Sequence, residues 1–521
     1  MRLDELIDRL DIRLVRGDAA SLRVCDLTED SRTVVPGSMF LARRGLLSDG
    51  RAYVADAVRA GATAVLAEDD GAFDPAGVPE RAAVLLTRDP AAHAAHLAER
   101  FYANPSSKLG VMGVTGSNGK TTIAHLVHRA MNHRAPHHAG PHDRDDLEAR
   151  RCGLIGTIEV DDGAELAPAE MTTPPAIEIS RSLGLMADAG CAHAAMEVSS
   201  HALDQARVAA IRFRVGVFTN LTGEHADYHG SFEAYARAKA RLFDALPTDG
   251  AAIVNADDPH HATMLERCDA RVLRCSTAGD IGDRVDATAR ILSSSVDGMR
   301  VALAGPWGEA MVSPPLLGAH NAMNLLQAAA ACWALGADRD QIESGLGAAG
   351  APAGRLELVS APGKDDVRAI VDYAHTDDAL RRTLEAVRDT MSDGRLWVVF
   401  GAGGERDKAK RPRMGRAAAD VAGRVVITSD NPRLEPPSDI VADILAGLEL
   451  HERSDCVVHV DRDRAIAHAI ESAEPGDVVV VAGKGHEREQ IGADADGRLT
   501  HRPFDDRAVV REALARRRSV S

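Results

Sequence analysis

Apolar and polar positions follow three successive rhythms along this chain, each built of short apolar runs separated by segments of helical period. In residues 1–107 the runs SMFLARRG and GATAVLAED read as strands and AYVADAVRAG between them as a helix, closing at Asn104-Pro105-Ser106-Ser107. In residues 108–350 the runs KLGVMGVTG, GLIGTIEV, HAAMEVS, RVGVFTNL and GAAIVNAD are apolar nearly throughout. Such strands, spaced by helical stretches, predict a mostly parallel sheet covered on both faces. The small residues GLGAAGAPAG lead into the third rhythm, residues 351–521. Its strands are RAIVDYA, GRLWVVFG, RVVITSD and GDVVVVAG, with helices such as DDALRRTLEAVRD and SDIVADILAGLEL. The predicted fold is α/β in three domains: a small N-terminal domain, a central mostly parallel sheet with helices on both faces, and a C-terminal Rossmann-like domain.

Composition narrows the function. A chain of 521 residues exceeds what one core supports, and with aromatics at 3% the cores must rely on Val, Leu, Ile and Ala. A formal charge of -17 argues against a general nucleic-acid binder, so any anionic ligand must meet a local basic pocket. The seven cysteines, at 25, 152, 191, 268, 275, 332 and 456, form no CxxC pair, which predicts neither a disulfide framework nor a thiolate zinc site. The start MRLDELIDRLDIRL lacks the basic and apolar regions of a signal peptide, and no segment has the length of a membrane span. A cytoplasmic monomer that acts on small molecules, without membrane insertion, is expected. Residues 132–151, NHRAPHHAGPHDRDDLEARR, carry four histidines, but the Pro, Gly and mixed charge predict an exposed flexible insertion, and no function is assigned to it.

The sharpest chemical signal is GVMGVTGSNGKTTIAHLV, an apolar strand followed by a glycine-broken turn and a helical stretch. Backbone N–H groups at a helix start, aided by the helix dipole, bind phosphate. Gly116, Ser117, Asn118 and Gly119 can wrap the phosphates, Lys120 and Thr122 follow, and the Thr121 hydroxyl suits Mg²⁺. The expected ligand is a nucleoside triphosphate, ATP, and the central sheet is of P-loop type. Val114 stands where the usual spacing asks for a first glycine, so the loop is a variant.

That loop resembles the ATP loop of the Mur ligases, amide-forming enzymes of bacterial cell-wall precursor synthesis. The same resemblance continues in order through MTTPP (171–175), MEVSSHALDQARV (196–208), FTNLTGEHADYHGSFEAYARAKARLF (218–243), VDYAHTDDAL (371–380), VVFGAGGERDKAKRP (398–412), SDNPR (429–433) and GKGHE (483–487). It is nearest the branch that adds meso-2,6-diaminopimelate to UDP-N-acetylmuramoyl-L-alanyl-D-glutamate. The resemblance implies an acyl phosphate formed from a substrate carboxylate and ATP, then attacked by the incoming amine. It also implies catalytic roles for Lys120, Glu197, His225 and Lys239. Thr121, Glu197, His225 and Lys239 would serve Mg²⁺, with Lys239 as a CO₂-derived carbamate, because a bare ammonium cannot ligate a cation.

The substrate residues implied in the same way fall into three groups. Ser31 and the loop Leu46, Leu47 and Ser48 would hold the uridine nucleotide, and Thr172, Thr173, Ser199, Gln205 and Arg207 the sugar-peptide part. Asn321, Arg355, Asp372 and His375 would contact ATP. Arg406, Asp430, Asn431, Pro432, Arg433, Gly483 and Glu487 would read the amino acid. An arginine fork suits the distal carboxylate of diaminopimelate, which lysine lacks. Glu224, Ala226, Ala402 and Glu405 depart from the family's usual residues. The alternatives are the same reaction with L-lysine or another diamino acid, a folylpolyglutamate-type ligase, and a P-loop nucleotide-binding regulator without catalysis.

Overall fold

The computed structural model describes residues 1–45, 48–133, 151–222, 226–279, 285–494 and 496–520. The chain forms two compact units, Met1–Cys275 with Ala330–Ala337, and Ser276–Ala329 with Asp338–Ser521.

The first unit begins with a five-stranded sheet: β1 (Arg13–Arg16), β2 (Asp26–Thr28), β3 (Ser38–Ala42), β4 (Ala64–Glu68) and β5 (Ala83–Thr87), in the order β1-β5-β4-β3-β2. Only the β1–β5 pair is antiparallel. Because strand side chains alternate between faces, Met39 and Leu41 pack with Leu3, Leu6 and Leu97 on one side, while Phe40 and Ala42 pack with Val54 and Val58 on the other. Both faces are therefore apolar, as the runs predicted.

The larger sheet of this unit holds β6 (Gly110–Thr115), β7 (Cys152–Ile155), β8 (Glu159–Asp161), β9 (Leu166–Pro168), β10 (His193–Glu197), β11 (Phe213–Phe218), β12 (Ala251–Asn255) and β13 (Arg271–Ser276). Their order is β13-β12-β11-β6-β10-β7-β8-β9, with β6 between β10 and β11. From β13 to β7 all pairs are parallel, and β8 and β9 add an antiparallel edge. The run GLIGTIEV is thus two strands rather than one. Gly156 N–H donates to Glu159 O at 3.1 Å to close a turn, and Thr157 N–H leaves the ladder for the carboxylate of Glu197. Among the described residues no disulfide is formed. Burial pushes the Cys332 thiol up to about 12.

The second unit contains an antiparallel set, β14 (Ala287–Ser295), β15 (Gly298–Gly305) and β16 (Gly308–Val312), whose half-exposed, serine-rich strands gave no clear apolar run in the sequence. Its Rossmann-like sheet comprises β17 (Glu357–Leu358), β18 (Arg368–Asp372), β19 (Leu396–Phe400), β20 (Arg424–Ile427), β21 (Val457–Val458) and β22 (Val478–Ala482). The order is β17-β18-β22-β19-β20-β21, parallel except at β17–β18, and β23 (Glu489–Ala493) and β24 (Leu499–Pro503) form a separate hairpin. The helix Asp377–Arg388 starts where the Thr376 hydroxyl accepts from Ala379 N–H, and it buries Leu380, Leu384 and Val387 at helical spacing against this sheet. Among the described residues no helix is long and apolar enough to cross a membrane.

Candidate functional site

In the first unit the functional side chains gather at the carboxyl ends of β6, β10 and β11, where an open parallel sheet leaves a crevice for ligands. The turn after β6 can only be glycine at its first position. Gly116 has φ +145°, and a Cβ there would stand 1.9 Å from Thr219 Oγ1. Gly119, at φ +92°, leads into the helix Lys120–Asn132. Asn220, just beyond β11, pins the loop from the side. Its carbonyl accepts from Ser117 N–H at 2.9 Å, its Oδ1 accepts from Asn118 N–H at 3.0 Å, and its Nδ2 donates to Asn118 O at 3.1 Å.

Two amines converge on this loop. Lys120 Nζ donates to Gly116 O at 2.9 Å and Ser117 O at 2.8 Å, and Lys239 Nζ donates to Gly116 O at 2.8 Å. Lys239 sits on the helix Phe232–Asp244, is buried, and lies 4.5 Å from the centroid of the Tyr235 ring. The Tyr235 hydroxyl in turn is 3.1 Å from Ser117 Oγ. Lys120 beside a helix N-terminus places a basic group in an acidic protein, the electrostatic setting a polyphosphate needs.

Glu197 ends β10, fully buried, in register with Val114 of β6. Its Oε2 accepts from Thr121 Oγ1 at 2.9 Å and from Thr157 Oγ1 at 3.0 Å, and its Oε1 accepts from Thr157 N–H at 2.7 Å. With its proton given to Glu197, the Thr121 hydroxyl keeps its lone pairs for a cation. A hydroxyl and a carboxylate held side by side are the hard oxygen donors that suit Mg²⁺, which takes few protein ligands and completes its shell with phosphate and water. Among the described residues no group of three His, Cys, Asp or Glu forms a protein-only metal cage. His225 lies outside the described residues, as do Leu46, Leu47, Glu224 and residues 134–150 of the histidine-rich insertion.

The residues expected at the sugar-peptide portion form one connected cluster. Thr173 Oγ1 donates to Glu197 O at 2.9 Å and accepts from Ser199 N–H at 3.0 Å, and Ser199 Oγ caps the next helix by accepting from Ala202 N–H at 3.2 Å. Thr172 Oγ1 lies 3.1 Å from Thr157 Oγ1. Arg207 donates through Nη1 to Thr173 O at 2.6 Å and through Nη2 to Gln205 Oε1 at 2.7 Å. Burial, reinforced by the Arg43 guanidinium, lowers its pKa from the ordinary arginine value, and Arg43 is anchored by Glu29 Oε1 at 2.6 Å. In loops beside the N-terminal sheet Ser31 is half-buried and Ser48 exposed, and Ser48 O accepts from Gly45 N–H at 2.8 Å. Thr122 lies half-buried in the first turn after the loop.

In the second unit, Gly354 and Gly485 approach so closely that a Cβ on Gly354 would stand 2.1 Å from Gly485 C, which joins the AGRLE and GKGHE loops. Arg355 thereby stacks on Tyr373, 4.7 Å from the ring centroid, and Tyr373 is flanked by His375 at 4.8 Å and His486 at 5.1 Å. The Asp372 carboxylate is taken up by Leu356 N–H, Ala374 N–H and the Thr383 hydroxyl at 2.8, 2.9 and 2.9 Å, so it orders this turn. Asn321 is buried, donating to Leu317 O at 2.7 Å and accepting from Asn324 Nδ2 at 2.7 Å.

Beside this turn, Asp430, Asn431, Pro432 and Arg433 line up with Gly483 and Glu487. Gly483, at φ +119°, donates its N–H to Asp372 O at 3.1 Å, and a Cβ there would meet Asp430 Oδ2 at 2.5 Å. Arg433, itself at φ +54°, donates to Gly404 O at 2.9 Å, and Gly403 separates its guanidinium from the exposed Arg406. The loop carrying Arg406 is fastened by Arg411, which donates to Gly403 O at 3.1 Å and to both oxygens of Glu435 at 2.8 Å. Arg411, with Lys408 beside it, holds the Glu435 carboxyl well below the usual range.

Several residues of these sites had no role in the sequence reading. Thr157 was hidden in a presumed strand, where only the glycine before it hinted at a break. Asn220 lies within FTNLTGEHADYHG, where no local pattern marks it as a loop anchor, and Arg43 and Arg411 look like ordinary surface arginines.

Residues 26–102 match the family model described as "Mur ligase family, catalytic domain", residues 114–332 "Mur ligase middle domain", and residues 354–485 "Mur ligase, glutamate ligase domain". The UDP-N-acetylmuramoyl-L-alanyl-D-glutamate--2,6-diaminopimelate ligase of Gloeobacter violaceus is 41% identical over 521 residues, covering 100% of this chain and 99% of that one. The ligase of the same name from Alkalilimnicola ehrlichii is 43% identical over 512 residues, 95% of this chain and 96% of that protein. A solved structure of a ligase of that name superimposes with a TM-score of 0.69 at 31% identity, covering 99% of each chain.

Proposed function

The chain belongs to the Mur ligase family, and from that premise we propose that it joins meso-2,6-diaminopimelate to UDP-N-acetylmuramoyl-L-alanyl-D-glutamate at the expense of ATP, in the cytoplasm, as a step of peptidoglycan precursor synthesis. The observation that carries this reading is the Thr121–Glu197 pair set beside the Gly116 loop. A carboxylate does not react with an amine in water until it is activated, and its approach to a triphosphate is opposed by their like charge. The Gly116–Thr122 backbone and Lys120 bind and orient the phosphates, placing the γ-phosphoryl group for attack by the D-glutamate carboxylate. ADP leaves, and the acyl phosphate is consumed when the free amine attacks its carbonyl and phosphate departs. Thr121 and Glu197 would hold Mg²⁺, which supplies neutralisation of the crowded phosphate charge. Lys239, carried as a carbamate, would contribute an anionic oxygen in the same place, and its burial beside Tyr235 supports a site shielded from bulk water.

Arg207, Thr173 and Ser199 hold the sugar-peptide carboxylates and phosphates, and Arg43 adds a second guanidinium to that side. Arg406, Arg433, Asp430 and Glu487 read the far end of the amino acid: a fork for the distal carboxylate and acids for the distal ammonium. L-Lysine presents no carboxylate to the two arginines, so the same pocket disfavours it.

Phosphate release measured with ATP, Mg²⁺, the UDP-dipeptide and, in turn, meso-diaminopimelate, L-lysine and L-ornithine tests the proposal. Turnover with meso-diaminopimelate alone is expected. Turnover confined to lysine would overturn the specificity, and no turnover with any of the three would overturn the reaction. Lys239→Ala is expected to lose activity that high bicarbonate does not restore, and full activity of that variant would remove Lys239 from the site.

A further inference from the structure

We propose that Lys484, a residue of the GKGHE segment with no assigned part in the reaction, is a positioning residue that sets amino-acid selectivity by orienting Glu487 and Asn431. The inference rests on the reading that these two residues face the incoming amino acid.

The Lys484 side chain is entirely shielded from solvent, and its Nζ donates to Asn431 Oδ1 at 2.9 Å and to Glu487 Oε2 at 2.9 Å. Asn431 Oδ1 also accepts from Ile491 N–H at 3.0 Å. An ammonium and a backbone N–H can only donate, so together they dictate which end of the Asn431 amide faces them. The Nδ2 end must then point the other way, and it donates to Glu487 Oε2 at 2.8 Å. One oxygen of Glu487 is thereby held by two donors. Among the described residues no hydrogen bond reaches its Oε1, and the side chain remains 31% exposed, so this second oxygen is presented to a cationic group from outside.

Lys484 achieves this without touching the ligand. The two flanking glycines, at φ +119° and +56°, turn the chain so that the lysine points inward while Glu487 stays at the surface. Without the ammonium, Asn431 loses one of the two donors that fix its orientation. A flipped amide would direct its oxygen at Glu487 and push the carboxylate away from the place where it meets the distal ammonium of a diamino acid.

Steady-state kinetics of Lys484→Met test this. The KM for meso-diaminopimelate is expected to rise about tenfold or more, as for loss of a hydrogen bond to a charged group, while the KM values for ATP and the UDP-dipeptide stay within about twofold of the parent. In a double-mutant cycle with Glu487→Gln the two effects should be strongly non-additive, because one residue acts through the other. An unchanged KM for the amino acid, an equal rise in all three KM values, or simple additivity would each overturn the inference. If Lys484→Met yields no soluble protein, Lys484→Gln, which removes the charge that holds Glu487 Oε2, is expected to raise the same KM selectively. A parent enzyme that turns over no diamino acid would instead defeat the functional reading beneath it.

Discussion

Thr157 grips the Glu197 carboxylate at both oxygens, through its N–H at 2.7 Å and its hydroxyl at 3.0 Å, so the orientation of the buried acid is set by a residue outside the Gly116–Thr122 loop. Groups that orient a metal ligand commonly matter to the metal about 10–100-fold. Thr157→Val keeps the N–H and removes the hydroxyl, and it is expected to raise the Mg²⁺ concentration needed for half-maximal activity by about tenfold or more. Thr157→Ser should restore the parent behaviour. A Mg²⁺ titration of Thr157→Val that overlays the parent would separate Thr157 from the function of Glu197.

The Arg462–Asp506 pair is a stability element of the second unit. Both side chains have no exposure, and Nε and Nη2 of the arginine each meet a carboxylate oxygen at 2.7 Å. Removing one partner strands a charge in the core, so Asp506→Ala is expected to cost about 3–5 kcal/mol in denaturant unfolding, whereas an apolar pair at both positions should come close to the parent. A single substitution costing less than the double one would contradict this.

Glu99 gives the first unit a pH dependence. It is buried and has no cation partner within ion-pair distance among the described residues; its oxygens accept from Ser106 N–H, Ser106 Oγ and Ser180 Oγ at 3.3, 2.6 and 3.2 Å. Burial raises its pKa above the usual 4.5, outweighing the hydrogen bonds and the more distant Lys108 that pull it down. An acid with a raised folded-state pKa binds protons more tightly folded than unfolded, so its contribution is fully present below the unfolded value and is lost as pH rises through the folded one. Melting temperature followed upward from about that unfolded pKa should fall more steeply for the parent than for Glu99→Gln. Parallel curves would show that Glu99 does not titrate in this way.

Much of this protein was legible in its residue pattern. The strands Gly110–Thr115, His193–Glu197, Arg368–Asp372 and Val478–Ala482 lie within the apolar runs that predicted them, because parallel strands covered on both faces can hold little else. The loop at Gly116–Thr122 was equally plain, since close approach of backbone to backbone admits only glycine and leaves its mark in composition.

What the chain's pattern determined by itself was therefore local: the strand runs, the phosphate-type turn, and the residue types able to serve an acyl-transfer reaction. Which side chains meet was decided only by tertiary structure. Glu197 finds Thr157 across forty positions of sequence, and Lys484 finds Asn431 across fifty-three, because parallel strands of one sheet, adjacent in the first case and separated by β19 in the second, end at the same edge. A buried carboxylate or ammonium must be satisfied by whatever donors or acceptors the fold brings to that edge. The sequence order of those partners carries no periodic signal, so no pattern along the chain could have paired them.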